Sequence, residues 1–124
     1  MNTLKLDKET LYNFYGNSPE EIAEMLKDYL HSNEETIKSF KEAYKKGLVP
    51  LQSCIHFHSS VFAYVGFPQL TDECRQFEQE CKNTNTINAV ASTFSNFINR
   101  IYESAVIAKK EIELLNMSRY NIAS

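Results

Sequence analysis

Three histidines and three cysteines are the side chains of this 124-residue chain whose chemistry extends beyond packing and solvation, and their spacing sorts them. Cys54 and His58 stand four residues apart, one helical turn, a separation that binds zinc when further ligands converge. No neighbouring residue supplies those ligands and both fall on an apolar stripe, so the expectation is a buried, hydrogen-bonded His58 and no metal. Cys74 and Cys81 complete an odd set of thiols without a CxxC pair, which argues for reduced, buried cysteines rather than disulfides. His31 has no chemical partner in the pattern and reads as surface. His56 is different. Imidazole is a fair nucleophile while largely neutral near pH 7, and a phosphoryl group carried on it keeps a high transfer potential. Such chemistry requires an exposed ring.

The helix that carries His56 decides its exposure. With about 100° per residue, Leu51, Cys54, Ile55, His58, Val61, Phe62 and Val65 fall on one stripe, and His56 lies roughly 170° from its centre. Around it on the outer face are Ser53, Ser59, Ser60 and Ala63, all too small to screen an imidazole from an approaching surface. Phe57 and Tyr64 add an apolar shoulder. Together with Gly66 at the end of the helix, the set predicts a docking face for a partner protein.

The rest of the chain supplies the scaffold. Its three glycines and three prolines fall where the apolar pattern breaks, at Gly16 and Pro19, Gly47 and Pro50, and Gly66 and Pro68. Ser18, Pro19 and Glu21 form a capping-box start, and the three-and-four spacing of Ile22, Met25, Leu26, Tyr29, Leu30, Ile37, Phe40 and Tyr44 runs to Lys45, Lys46 and Gly47. Ser32 and Glu35 could cap again, which predicts a kink or break near residue 32. A short helix carrying Leu6, Leu11, Phe14 and Tyr15 precedes it, packed across the bundle end. A helix after Pro50 bears His56, another carries Leu70, Cys74, Phe77 and Cys81, and the last runs from Ile87 to Leu115. The expected fold is all-α, an antiparallel up-and-down four-helix bundle with a short additional N-terminal helix. It forms a single domain, 1–124, with its core at about 7–115 and a flexible tail at 116–124.

Counting from His56, Gly66 stands at plus ten, Leu70 at plus fourteen and Cys74 at plus eighteen, with Phe77 and Glu78 following. This register resembles the histidine-containing phosphotransfer (HPt) family, with His56 on the phosphorylated histidine and Gly66 on the helix-ending glycine. The likeness covers about residues 7 to 115, through Gly16 to Glu20, the long helix, and Lys46-Gly47. It implies a carrier in a two-component phosphorelay, taking a phosphoryl group on His56 from a receiver-domain aspartyl phosphate and passing it to another receiver. The implied partners are response-regulator receiver domains and a hybrid histidine kinase. No cofactor is expected on this chain, with Mg²⁺ on the receiver, and the protein is expected to be monomeric. Two positions depart from the family. Ser59 replaces the usual lysine, whose cation would stabilise the phosphoryl charge, and Ser60 replaces a glycine, leaving room for docking. Arg75 on the next helix is a second candidate for the missing charge. The departure at Ser59 also admits a receiver-binding module that moves no phosphate, and the architecture alone admits a structural bundle subunit.

Composition narrows the field. A 43% hydrophobic content builds one core, and a net charge of -3 leaves no basic stripe for nucleic acid. No apolar run reaches the roughly 20 residues of a membrane span and no signal peptide is read at Met1 to Asp7, so the expected location is cytoplasmic. Glycine-rich phosphate loops, HExxH and GxSxG are absent from the sequence, which disfavours nucleotide binding and hydrolysis.

Overall fold

The computed structural model describes residues 3–123, with side chains through Met117. Five α-helices follow in order: α1 (Lys8–Tyr15), α2 (Pro19–Lys46), α3 (Leu48–Tyr64), α4 (Pro68–Lys82) and α5 (Ala91–Ala123), the last preceded by a 3₁₀ turn at Ile87–Val90. Helices α2 to α5 form the bundle. The hairpin partners α3 and α4 pack most extensively, α2 lies along both α5 and α3, and α1 closes one end. Among the described residues no helix is long and apolar enough to cross a membrane.

The helix ends follow local chemistry. The Ser18 hydroxyl accepts from the Glu21 amide at 3.3 Å with Pro19 in the first turn, so the amides freed there gain a partner and lose no bond to proline. At the other end Gly47 is the whole connection between α2 and α3, at φ 123°, a backbone region a side chain rarely enters. Helix α3 starts at Leu48, before Pro50 rather than after it. Pro50 still sits in the first turn, where no intrahelical donor is needed.

The expected break near residue 32 is absent, and α2 is one uninterrupted helix. Ser32 donates its hydroxyl back to the Tyr29 carbonyl at 3.1 Å instead of capping a new helix, while Asn33 turns into the core. Helical backbone also continues through Ala123, where the sequence suggested a tail from 116, and Ser124 lies outside the described residues.

The core joins Leu26, Phe40, Leu51, Ile55, Phe62, Phe77, Phe97 and Ile101, all essentially inaccessible. Phe97 holds three helices at once, with its ring 5.3 Å from Phe40, 6.1 Å from Phe62 and 5.6 Å from Phe77. Two expected core residues are outside it: Val61 and Phe14 are exposed, Phe14 lying against Tyr64 at 4.8 Å between ring centres. Conversely, the charged Arg100 is only 4% exposed, and its guanidinium forks onto Glu73, with Nε at 2.9 Å from Oε1 and Nη2 at 2.6 Å from Oε2. That pair ties α5 to α4 beside a groove of about 460 Å³. Polar contact also crosses from α2 to α5, where the Tyr29 hydroxyl meets Ser104.

Candidate functional site

His56 sits near the middle of α3 with its side chain 80% exposed, on the side away from Leu51, Ile55 and Phe62. Its Nδ1 lies 3.0 Å from Oε1 of Glu78, which α4 presents at 19% exposure. A carboxylate only accepts, so Nδ1 is the donor in this contact, and in the neutral ring Nε2 keeps the lone pair. Lys82, one turn further along α4, places Nζ 3.4 Å from the other oxygen, Oε2. Gln52, Ser53, His56, Phe57, Glu78 and Lys82 line an open groove of about 440 Å³.

The predicted ring of small residues divides. Ser53 lines this groove and Ser60 is exposed, while Ala63 is half-buried. The Ser59 hydroxyl is committed to the His56 backbone carbonyl at 2.9 Å, a local bond one turn back along the helix, so it is not offered to the imidazole. The Ser59 carbonyl in turn accepts from Thr71 on α4 at 2.6 Å, pinning the hairpin at this level. Phe57 is exposed beside His56, and Tyr64 is exposed two turns on.

Gly66 does not belong to the docking face. It is buried, and a Cβ there would lie 2.7 Å from Leu6 Cδ1 and 3.1 Å from Leu11. Its carbonyl accepts from the Asp7 amide at 2.7 Å, so it locks the N-terminal segment onto the α3–α4 turn. Arg75 does not line the groove at His56. It pairs with Asp72 on its own helix at 3.3 Å and is largely exposed. The two residues that accompany His56, Glu78 and Lys82, were not given roles by the sequence. Their spacing of four is a faint signal, because it makes an acid–base pair on one helical face.

His58 is half-buried rather than buried. Its Nδ1 donates to the Cys54 carbonyl at 2.9 Å, and its ring packs against Phe40 at 5.0 Å. The Cys54 sulfur is 3.7 Å from the same nitrogen. Among the described residues no group of three or more His, Cys, Asp or Glu is placed to hold a metal ion. Burial pushes the thiols of Cys54 and Cys81 up to about 11, and that of Cys74 further in the same direction, so all three stay protonated at neutral pH. His31 is exposed.

This arrangement sits on a known architecture. The chain is similar to the HPT domain of a sensor hybrid histidine kinase from Shewanella, with a TM-score of 0.67 over 90% of this chain and 94% of that one. Sequence identity is 18%, a level at which the likeness establishes the shared fold, an HPt-like helical bundle. No family model and no curated protein matches the sequence.

Proposed function

We propose that this protein is a histidine phosphotransfer carrier: His56 accepts a phosphoryl group from a receiver-domain aspartyl phosphate and hands it to another receiver. The observation that carries the reading is the exposed His56 ring with Nδ1 held by Glu78, which leaves Nε2 as the outward nucleophile. The Nε2 lone pair attacks phosphorus in line, the bond from phosphorus to the bridging aspartyl carboxyl oxygen breaks, and the carboxylate leaves with the electron pair. No proton has to leave the ring. The hydrogen on Nδ1 stays, the ring becomes cationic, and the Glu78 carboxylate offsets that charge. Glu78 is therefore a positioning residue that also stabilises the product. The divalent metal, Mg²⁺, would belong to the receiver, so this chain contributes a nucleophile and a docking face and no cofactor of its own.

The partners in this reading are response-regulator receivers and a hybrid histidine kinase, met by a monomer in the cytoplasm. Receivers would dock over Ser53, Phe57, Ser60 and Tyr64, where a large apolar side chain flanks the acceptor. Purified protein incubated with phosphorylated receivers and Mg²⁺ should gain a phosphate that is acid-labile, base-stable and absent in His56→Gln. A receiver that binds but transfers nothing would sink the carrier reading. One observation favours a second reading, a receiver-binding module without transfer: the Ser59 hydroxyl is spent on the backbone and contributes nothing to a phosphoryl group. That reading predicts receiver binding unaffected by His56→Gln and no phosphohistidine.

A further inference from the structure

A phosphoryl group on His56 would add nearly two negative charges at the surface of α3. Helix α3 itself cannot meet them, for no lysine or arginine occurs between Leu48 and Tyr64. Any neutralising cation therefore comes from another element. Arg75 pairs with Asp72 on its own helix at 3.3 Å and is not among the residues that line the groove at His56. Lys82 does line it.

We infer that Lys82 is the phosphoryl-binding cation of this site, moving from Glu78 onto the phosphoryl oxygens when His56 is phosphorylated. The inference rests on the acceptor reading of His56. Its geometric basis is a single carboxylate with two tasks: Oε1 of Glu78 holds His56 Nδ1 at 3.0 Å, and Oε2 holds Lys82 Nζ at 3.4 Å. The acceptor ring and the ammonium are thus parked on adjacent oxygens of one group. An ammonium has three donors on a flexible four-carbon stem, so one long contact leaves two donors free. The side chain is 53% exposed, and nothing fixes it against the core. In the unphosphorylated protein the charges of Glu78 and Lys82 cancel. After transfer the ring cation faces Glu78, and Lys82 is released to pair with the phosphoryl group, so every charge in the groove has a partner. Gln52 and Ser53, one turn before His56, offer neutral donors on the same wall.

The test compares the full-length wild-type chain with Lys82→Gln, Lys82→Arg, and Lys82→Gln combined with Ser59→Lys. Two phosphoryl donors are used, a phosphorylated receiver with Mg²⁺ and phosphoramidate, whose P–N bond breaks on transfer with release of ammonia. Phosphohistidine formation and its decay after donor removal are followed, together with receiver affinity and helical content. Loss of one half-exposed charged contact predicts transfer about tenfold slower in Lys82→Gln with both donors, with fold and receiver affinity unchanged. Arginine should hold the rate near wild type, and Ser59→Lys should restore it by returning a cation to α3. Wild type that is phosphorylated on His56 while Lys82→Gln matches it in formation and decay would overturn the inference and leave the acceptor reading standing. Slowing with the receiver alone, accompanied by weaker binding, would also overturn it by making Lys82 a docking residue. A wild-type chain that binds receiver and takes no phosphate from either donor removes the acceptor reading, and this inference with it.

Discussion

Nδ1 of His56 on α3 lies 3.0 Å from Oε1 of Glu78 on α4, across the most extensively packed helix pair in the bundle. The contact spans 22 residues of sequence, and it orients the ring and chooses its tautomer at once. The α3–α4 hairpin is held in register nearby by Thr71 on the Ser59 carbonyl, so the carboxylate reaches the ring without a mobile loop between them.

Glu78→Gln keeps an acceptor oxygen for Nδ1 but loses the charge that offsets the cationic ring. Transfer should slow by about tenfold, with receiver affinity unchanged, because the lost interaction forms fully only as charge develops. Glu78→Ala, which also frees the ring to rotate, should be slower still. Single-turnover transfer and calorimetric binding of a receiver check both. Weaker receiver binding with unchanged transfer would show that Glu78 acts in docking instead.

The Arg100–Glu73 fork is nearly inaccessible on the arginine side. Glu73→Gln leaves a buried guanidinium facing a neutral amide, and the cost should be about 3 kcal/mol of stability. Glu103, 3.4 Å from Nη1, recovers only part of this, being half exposed. Arg100→Met should be milder than Glu73→Gln, because it removes the buried charge and keeps the volume. Urea titrations of the three proteins give the order directly.

Alkaline pH should weaken the fold. The Cys54 and Cys81 thiols are raised by burial from 9.0 to about 11, and the Tyr29 phenol from 10.0 to about 12, so the folded state holds protons that the unfolded chain releases. The stabilisation is complete below pH 9, declines as pH climbs from there, and is lost above about 12. The melting temperature should therefore be flat from pH 7.5 to 8.5 and fall steadily beyond 9. Alkylation at pH 8 should reach Cys54 slowly and Cys74 and Cys81 only after unfolding, since the last two are buried. Rapid alkylation of all three in the native protein would contradict this burial.

Gly66→Ala tests the turn that closes α3. A methyl group would meet Leu6 and Leu11 at φ 92°, adding overpacking to backbone strain, for an expected loss of about 2–3 kcal/mol. Gly16→Ala, at φ 65° with open space around it, should cost about 1 kcal/mol, from strain alone. The difference in urea midpoints isolates the packing contribution.

The sequence by itself determined the helices and the outward face of His56. Ser18, Gly47 and Gly66 set boundaries through bonds within a few residues, and an advance of about 100° per residue places His56 opposite the centre of the apolar stripe of α3 without any knowledge of neighbours. Everything that depends on how one helix faces another was decided by tertiary structure. The same periodicity that put His56 outside put Val61 inside, yet Val61 is exposed, because the width of the buried stripe is set by where α2 and α4 lie against α3. Arg100 falls inside because Glu73 of α4 meets it there, and Ser59 turns to its own backbone. Above all, Glu78 and Lys82 join His56 only through the α3–α4 register, which sequence spacing cannot supply because it depends on the packing of side chains far apart in the chain.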